Sequence, residues 1–224
     1  MNKAIAIEAR NLSFAYQTKI NIIKHLNLSL YKGETVVLLG ANGGGKTTLG
    51  KLLTGILKPS SGELLLFGEN LSMLPLFKIG QKLGYSFQNP VQQLFTVSVE
   101  EEIAFGLKYR GANAEEISRV TEQLMKLFEI EHLRDAFPLN LSWGEKRRVV
   151  LASCLALQPE YLILDEPTTG LDQKRIDILN RVLNNLRQEG VGMLLISHNQ
   201  SFVRENAQRI LRMEKGAIVD DLYL

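Results

Sequence analysis

Residues 35–57 read TVVLLGANGGGKTTLGKLLTGIL, and three kinds of order follow one another in this stretch. Residues 35–39 form an unbroken apolar run stopped by glycine, which predicts a buried strand. Gly40, Gly45, Lys46 and Thr47 then satisfy GxxxxGK[ST]. Leu49, Leu52, Leu53, Ile56 and Leu57 fall at i, i+3, i+4, i+7 and i+8, so a helix over them lays one apolar stripe on a sheet. Lys58, Pro59, Ser60, Ser61 and Gly62 are expected to end it. Strand, glycine loop and striped helix together predict a phosphate-binding loop of residues 40–48, with Asn42, Gly43, Gly44 and Thr48 completing it. Glycines let backbone N–H groups turn inward around phosphate oxygens, Lys46 reaches the β and γ phosphates, Thr47 offers its hydroxyl to Mg²⁺, and the helix N-terminus adds positive potential.

Further short apolar runs at 63–67, 83–87, 161–164 and 192–196 read as strands. Between 83–87 and 161–164 the pattern is helical. Asn113 followed by Glu116 marks a helix start, Ile117, Val120, Leu124, Leu127 and Phe128 supply its buried face, and residues 99–109 add a second helix. The expectation is an α/β fold: a core of about residues 1–88 and 160–224 on a mixed, mainly parallel sheet. An antiparallel part comes from the first thirty residues and 62–68, and a helical lobe is inserted at about 89–159.

With 224 residues, 45% of them hydrophobic and 22% charged, the chain has ordinary globular composition and room for one nucleotide-binding domain, residues 1–224. A formal net charge of +2 gives no strong pull toward nucleic acid, and none is expected as a partner; Lys146, Arg147 and Arg148 read as the solvated face of a helix. The single cysteine, Cys154, sits among apolar residues, which excludes an internal disulfide framework and predicts a buried thiol. Glu8 and Arg10 interrupt any apolar leader core, and no run approaches the ~18 apolar residues of a membrane span. Membrane association is expected through partners.

The run YLILDEP, 161–167, is an apolar strand that delivers Asp165 and Glu166. Two adjacent carboxylates can divide two tasks: Asp165 holds Mg²⁺ in the outer shell, and Glu166 orients or deprotonates an attacking water.

Taken in order, GANGGGKTT, Gln88, LSWGE (141–145), LILDEP, TTGLD (168–172) and the ISH ending at His198 resemble the phosphate loop, Q-loop, signature, Walker B strand, D-loop and H-loop of ABC ATPases, over nearly the whole chain. The resemblance implies ATP as ligand with Mg²⁺. It assigns Gln88 to Mg²⁺ and water contacts and to coupling with a membrane partner, His198 to the γ-phosphate, and Tyr16 to stacking on adenine. It also implies a dimer, in which Ser142, Trp143, Gly144 and Glu145 complete the nucleotide site of a second ABC ATPase subunit and Gly170, Leu171 and Asp172 form the D-loop. Trp143 departs from the family's usual glycine and Glu145 from its glutamine; the indole could cover the phosphate, stack at the dimer seam, obstruct closure or point outward.

The segment YSFQNPVQQLFTVSVEEEIAFGL, 85–107, and KRRVVLAS after the signature resemble ATPases of energy-coupling factor importers, which take up vitamins and transition-metal ions. That resemblance implies integral membrane subunits docking near the Q-loop and helical lobe, and a place on the cytoplasmic face of the membrane. A weakly hydrolysing regulatory subunit, or the ATPase of another ABC transporter class, stays open, as does homodimer against heterodimer.

Overall fold

The computed structural model describes residues 4–17 and 21–224. In chain order the elements are β1 (Ile5–Ala15), β2 (Asn21–Tyr31), β3 (Thr35–Leu39), α1 (Lys46–Leu53), β4 (Ser61–Leu66), β5 (Glu69–Asn70), α2 (Leu76–Lys82) and β6 (Leu83–Ser86). There follow α3 (Val99–Tyr109), α4 (Ala114–Leu127), α5 (Trp143–Ala156), β7 (Tyr161–Asp165), α6 (Gln173–Gln188), β8 (Gly192–Ile196), α7 (Gln200–Asn206), β9 (Arg209–Glu214) and β10 (Ala217–Tyr223).

Four strands make an antiparallel sheet in the order β2-β1-β4-β5, and six make a second sheet in the order β10-β9-β3-β8-β7-β6. In the second, β9, β3, β8, β7 and β6 run parallel and only β10 is antiparallel to its neighbour. The antiparallel expectation is met at β1, β2 and β4; its positions 1–3 and 18–20 lie outside the described residues.

Both faces of the parallel sheet are covered, which is why its strands read as continuous apolar runs rather than alternating ones. Leu38, Ile163, Leu194 and Ile196 point toward α1 and the antiparallel sheet. Val37, Leu162, Leu164, Met193 and Leu195 point toward the helices of the other face, α5 and α6 among them. Because β6 and β7 are parallel neighbours, the chain between them must cross over, and α3, α4 and α5 form that crossover.

The structure moves several boundaries. α1 stops at Leu53, before Ile56 and Leu57, because the Thr54 hydroxyl bonds the Gly50 and Lys51 carbonyls at 3.1 and 3.0 Å and Gly55 takes φ +71°. Ser61 and Gly62, read as part of the turn, instead open β4. In α4, Val120 and Met125 are buried with Phe128 just beyond, but Leu127 is exposed; the Asn113 side chain accepts the Glu116 amide at 2.8 Å, as its spacing predicts.

The clearest correction concerns 146–148. Arg147 is 0% exposed and Arg148 is buried, so neither lies on a solvated face, while Lys146 stays partly exposed and bonds the Leu141 carbonyl. α5 lies between α3 and α4 on one side and β6 on the other, leaving little of its circumference for water. Both guanidiniums are held by backbone carbonyls: Arg148 bonds the Phe128 and Glu129 oxygens at 2.8 and 2.7 Å, and Arg147 those of Phe87 and Gln88. The same burial pushes the Cys154 thiol up to about 11, consistent with a structural rather than reactive role.

The two sheets are tied by Arg209. Its guanidinium takes Asp221 in both oxygens at 2.7 Å, pairs with Glu34 at 3.3 Å and donates to the Ser29 carbonyl of β2 at 2.8 Å, with the rings of Tyr31 and Tyr223 nearby. Arg209→Met is expected to lower unfolding free energy by about 3–5 kcal/mol, since the buried fork that joins Asp221, Glu34 and the Ser29 carbonyl would be lost. A urea midpoint equal to that of the parent chain would refute this tie.

Candidate nucleotide site

The phosphate loop leaves β3 at Gly40 and enters α1 at Lys46. Gly40 has φ +151°, and a Cβ there would lie 2.2 Å from the Met213 carbonyl oxygen of β9, so only glycine lets the loop pass this strand. Gly43 and Gly45 also take positive φ, and the Gly44 amide closes a turn on the Ala41 carbonyl at 3.1 Å. α3, α4, α5, α6 and α7 each have a side chain capping their first turn, whereas α1 begins at Gly45 with no side-chain cap. Its leading N–H groups are therefore not taken up by a side-chain cap, as an anion-binding helix start requires. Lys46 Nζ bonds the Gly40 and Ala41 carbonyls at 2.7 and 3.0 Å, holding its charge over the loop. The Tyr16 hydroxyl lies 3.4 Å from that of Thr48, and its half-exposed ring packs edge-on against Phe14, which puts the aromatic at the mouth of the loop.

β7 brings Asp165 and Glu166 under α1, at 1% and 7% exposure. Neither Asp165 oxygen completes a well-aligned hydrogen bond; burial pushes this carboxyl up, while Thr47 beside it and Lys46 pull it down. Glu166 adopts φ +51°, uncommon for a residue with a side chain, and its amide is held by the Ile196 carbonyl at 2.8 Å. Since β7 and β8 are adjacent and in register, Asp165 opposite Ile196, the residues just beyond both strands meet: His198 Nδ1 lies 2.9 Å from Glu166 Oε2. The His198 side chain is otherwise 82% exposed.

A divalent cation with phosphates fits this donor set. Buried carboxylate oxygens without partners and the neighbouring Thr47 hydroxyl suit a hard cation. Among the described residues no cluster of three or more His, Cys, Asp or Glu could hold a metal by itself, so the phosphates would have to supply the remaining oxygens.

The signature residues lie elsewhere. Ser142 caps α5 and forms a reciprocal box with Glu145: its amide and hydroxyl donate to the Glu145 carboxylate at 2.8 and 2.6 Å, and its hydroxyl accepts the Glu145 amide at 3.4 Å. These bonds hold the Glu145 carboxyl below its usual range. The S-x-x-E spacing is that of a capping box, a signal carried by the sequence itself; a glutamine at 145 would fit the same box. Trp143 packs on the D-loop of its own chain: a Cβ at Gly170, φ +82°, would lie 2.4 Å from Trp143 Cδ1, and one at Gly144 would lie 2.6 Å from the Gly170 carbonyl oxygen. The ring is neither buried nor turned away, keeping 42% exposure. Leu171 packs into the core below, and Asp172 caps α6 by accepting the Arg175 amide at 2.9 Å. Among the described residues no hydrogen bond or ion pair joins 142–145 to 40–48. Gln88 is exposed on the loop after β6, its carbonyl bonded by Arg147.

A glycine loop opening an uncapped helix, beneath it a strand presenting two acids, and a histidine from the next strand define a phosphate-loop nucleotide-binding protein. The ABC transporter family model matches residues 23–169, and the chain belongs to that family. It is 40% identical over 216 residues to the energy-coupling factor transporter ATP-binding protein EcfA of Methanothermobacter thermautotrophicus, covering 95% of this chain and 69% of that one. Among solved structures it is similar to cbiO1 from Clostridium perfringens, part of the ABC transporter complex cbiONQ, with 31% identity, TM-score 0.83, and coverage of 98% of this chain and 88% of that one. A dimeric ATP-binding cassette in a post-hydrolysis state bound to ADP and Pi matches with 25% identity, TM-score 0.89, and coverage of 97% and 98%. The chain spans 43% and 40% of the length of the putative ABC transporter ATP-binding proteins of Methanosarcina mazei and Methanosarcina acetivorans that it also matches.

Proposed function

We propose that this chain binds and hydrolyses ATP as one of two nucleotide-binding subunits of a membrane importer of energy-coupling factor type, carrying a vitamin or a transition-metal ion. The observation that carries the enzymatic part is the buried Asp165–Glu166 pair below the phosphate loop, with His198 against Glu166. Lys46 and the amides of the loop bind the β and γ phosphates, Tyr16 stacks on adenine, and Gln88 contacts the attacking water. Glu166 takes that water's proton as the bond to ADP breaks and phosphate leaves, with His198 toward the γ-phosphate. Mg²⁺, when held by Thr47 with Asp165 and Gln88 beyond it, would supply charge neutralisation at the phosphates.

Two-subunit action is supported by the separation of 142–145 from the loop within one chain: the donors of Ser142 and Gly144 serve a phosphate held by another subunit's Lys46. Ser142 must then release Glu145 on engagement. ATP would bridge the two chains, and reversing a 1:99 closed-to-open ratio asks for about 5.5 kcal/mol of differential binding, shared by two sites rich in charge-assisted bonds.

Docking to integral membrane subunits is supported by an exposed aromatic strip beside the Q-loop. Phe95 meets Phe105 at 4.8 Å, Phe105 stacks on Tyr109 at 6.4 Å, and Tyr109 meets Phe77 of α2 at 6.5 Å. The buried Glu102 carboxylate holds the amides of Phe95 and Thr96, both at 3.0 Å, so this strip sits on a fixed loop. No helix among the described residues is long and apolar enough to cross a membrane, so attachment to the cytoplasmic face would run through such partners. Purifying the chain from detergent-solubilised native membranes tests the reading: integral membrane subunits and a bound vitamin or metal are expected with it. Recovery with membrane subunits of an exporter, or with none, would overturn the importer assignment.

A further inference from the structure

The signature helix also grips the strand and loop that carry Gln88. Arg147 and Cys154, seven residues apart and so on one face of α5, both reach that backbone. Cys154 Sγ donates to the Tyr85 carbonyl at 3.1 Å. Arg147 Nη1 donates to the Ser86 hydroxyl at 3.3 Å and the Phe87 carbonyl at 2.7 Å, and Nη2 donates to the Gln88 carbonyl. Gln93 closes the other side, accepting the Phe87 amide at 3.1 Å and donating to the Tyr85 carbonyl at 3.0 Å. The backbone of Tyr85, Phe87 and Gln88 and the Ser86 hydroxyl are thus all held, while the Gln88 side chain is left exposed.

The choice of residue is costly for a purely structural tie. Arg147 is 0% exposed, its Nε is buried without a hydrogen-bond partner, and among the described residues no carboxylate pairs with it. A neutral amide could make two such bonds with far less desolvation. The planar guanidinium reaches the Ser86 hydroxyl and the successive Phe87 and Gln88 carbonyls at once, and the nearby charges that favour it are those of Asp165 and Glu166.

We infer that Arg147 is a positioning residue that locks residues 86–88, and hence the reach of Gln88, to the orientation of the helix opened by Ser142, so that Q-loop and signature move as one body. The inference rests on the role proposed above for Gln88. A partner subunit that displaces the Q-loop would then turn the signature helix directly, without a change passing through the phosphate loop.

Hydrogen–deuterium exchange of the full chain tests the mechanical part. In folded Arg147→Met, amides of 87–91 are expected to exchange about tenfold faster than in the parent while 144–156 stay protected. Unchanged exchange at 87–91, or protection lost throughout α5, overturns the inference. Should that variant fail to fold, Arg147→Lys, which keeps the charge but replaces the two-nitrogen fork by a single, shorter-reaching ammonium, is read in the same way. In steady-state turnover, kcat of Arg147→Met should fall about tenfold with KM within about twofold, and combining it with Gln88→Ala should add nothing to Gln88→Ala alone. Losses that multiply overturn it. If the parent chain with its partners does not turn over ATP, the proposed function fails, and the exchange measurement still decides the part played by Arg147.

Discussion

Glu166→Gln is expected to bind ATP normally and to turn it over at least about 10²-fold more slowly, the usual weight of a positioned general base. The exchange of oxygen for an amide leaves shape and burial almost unchanged, so binding through Lys46 and the loop amides is untouched. What is lost is the oxygen that can accept a proton. The backbone isolates this effect further: Glu166 is held in its uncommon conformation by the Ile196 carbonyl, which the substitution does not alter. Arrested hydrolysis should also keep two subunits closed on ATP, and Trp143, the only tryptophan, then reports closure. Its ring lies on Gly170 with one part open to solvent, so approach of a second subunit should change its emission. Turnover equal to that of the parent would remove Glu166 from catalysis and favour the weakly hydrolysing regulatory subunit. Unchanged emission under saturating ATP, with partners present, would place Trp143 away from the seam.

Lys46→Ala should act one step earlier. The ammonium is the point counter-charge for the β and γ phosphates, and a hydrogen bond to a charged group contributes about 1.5–3 kcal/mol, a weakening of about 10- to 150-fold in ATP affinity for one such bond. The same side chain ties Gly40 to the loop at 2.7 Å, so its removal also frees the backbone that would surround the phosphates. Productive binding, and with it ATP-driven pairing of subunits, is expected to vanish at millimolar nucleotide. The two substitutions separate cleanly: Lys46→Ala should prevent pairing, and Glu166→Gln should prolong it. Pairing on ATP in Lys46→Ala would contradict the role assigned to this residue, whichever way Glu166→Gln behaves.

Much of the fold was legible because its signals are local. β3, α3 and β8 lie where short apolar runs and helical spacing predict them, and the Asn113 cap is made by the residues that announce it. Patterns that depend on packing misled. The stripe of α1 continues in the sequence past Leu53, but Thr54 and Gly55 end the helix, and Leu127 keeps helical spacing yet lies in an open groove, 43% exposed. Arg147 and Arg148 look solvated because charge ordinarily is; nothing local shows that backbone carbonyls of two distant segments await them. Trp143 was recognisable as a departure, but its resting place on Gly170 was not, since the two are brought together only by the turn after β7.

The phosphate loop, the acids at 165 and 166 and the order of the remaining motifs can be read from residue types at fixed short spacing within a strand, turn or helix start. Which of them meet depends on how the strands and helices pack. Parallel pairing of β7 with β8 puts His198 on Glu166, the crossover from β6 to β7 lays α5 where Arg147 reaches the Q-loop, and the signature is left apart from the loop of its own chain. Strand order and helix packing are set by which apolar faces cover which, a property of the whole core that no single segment carries.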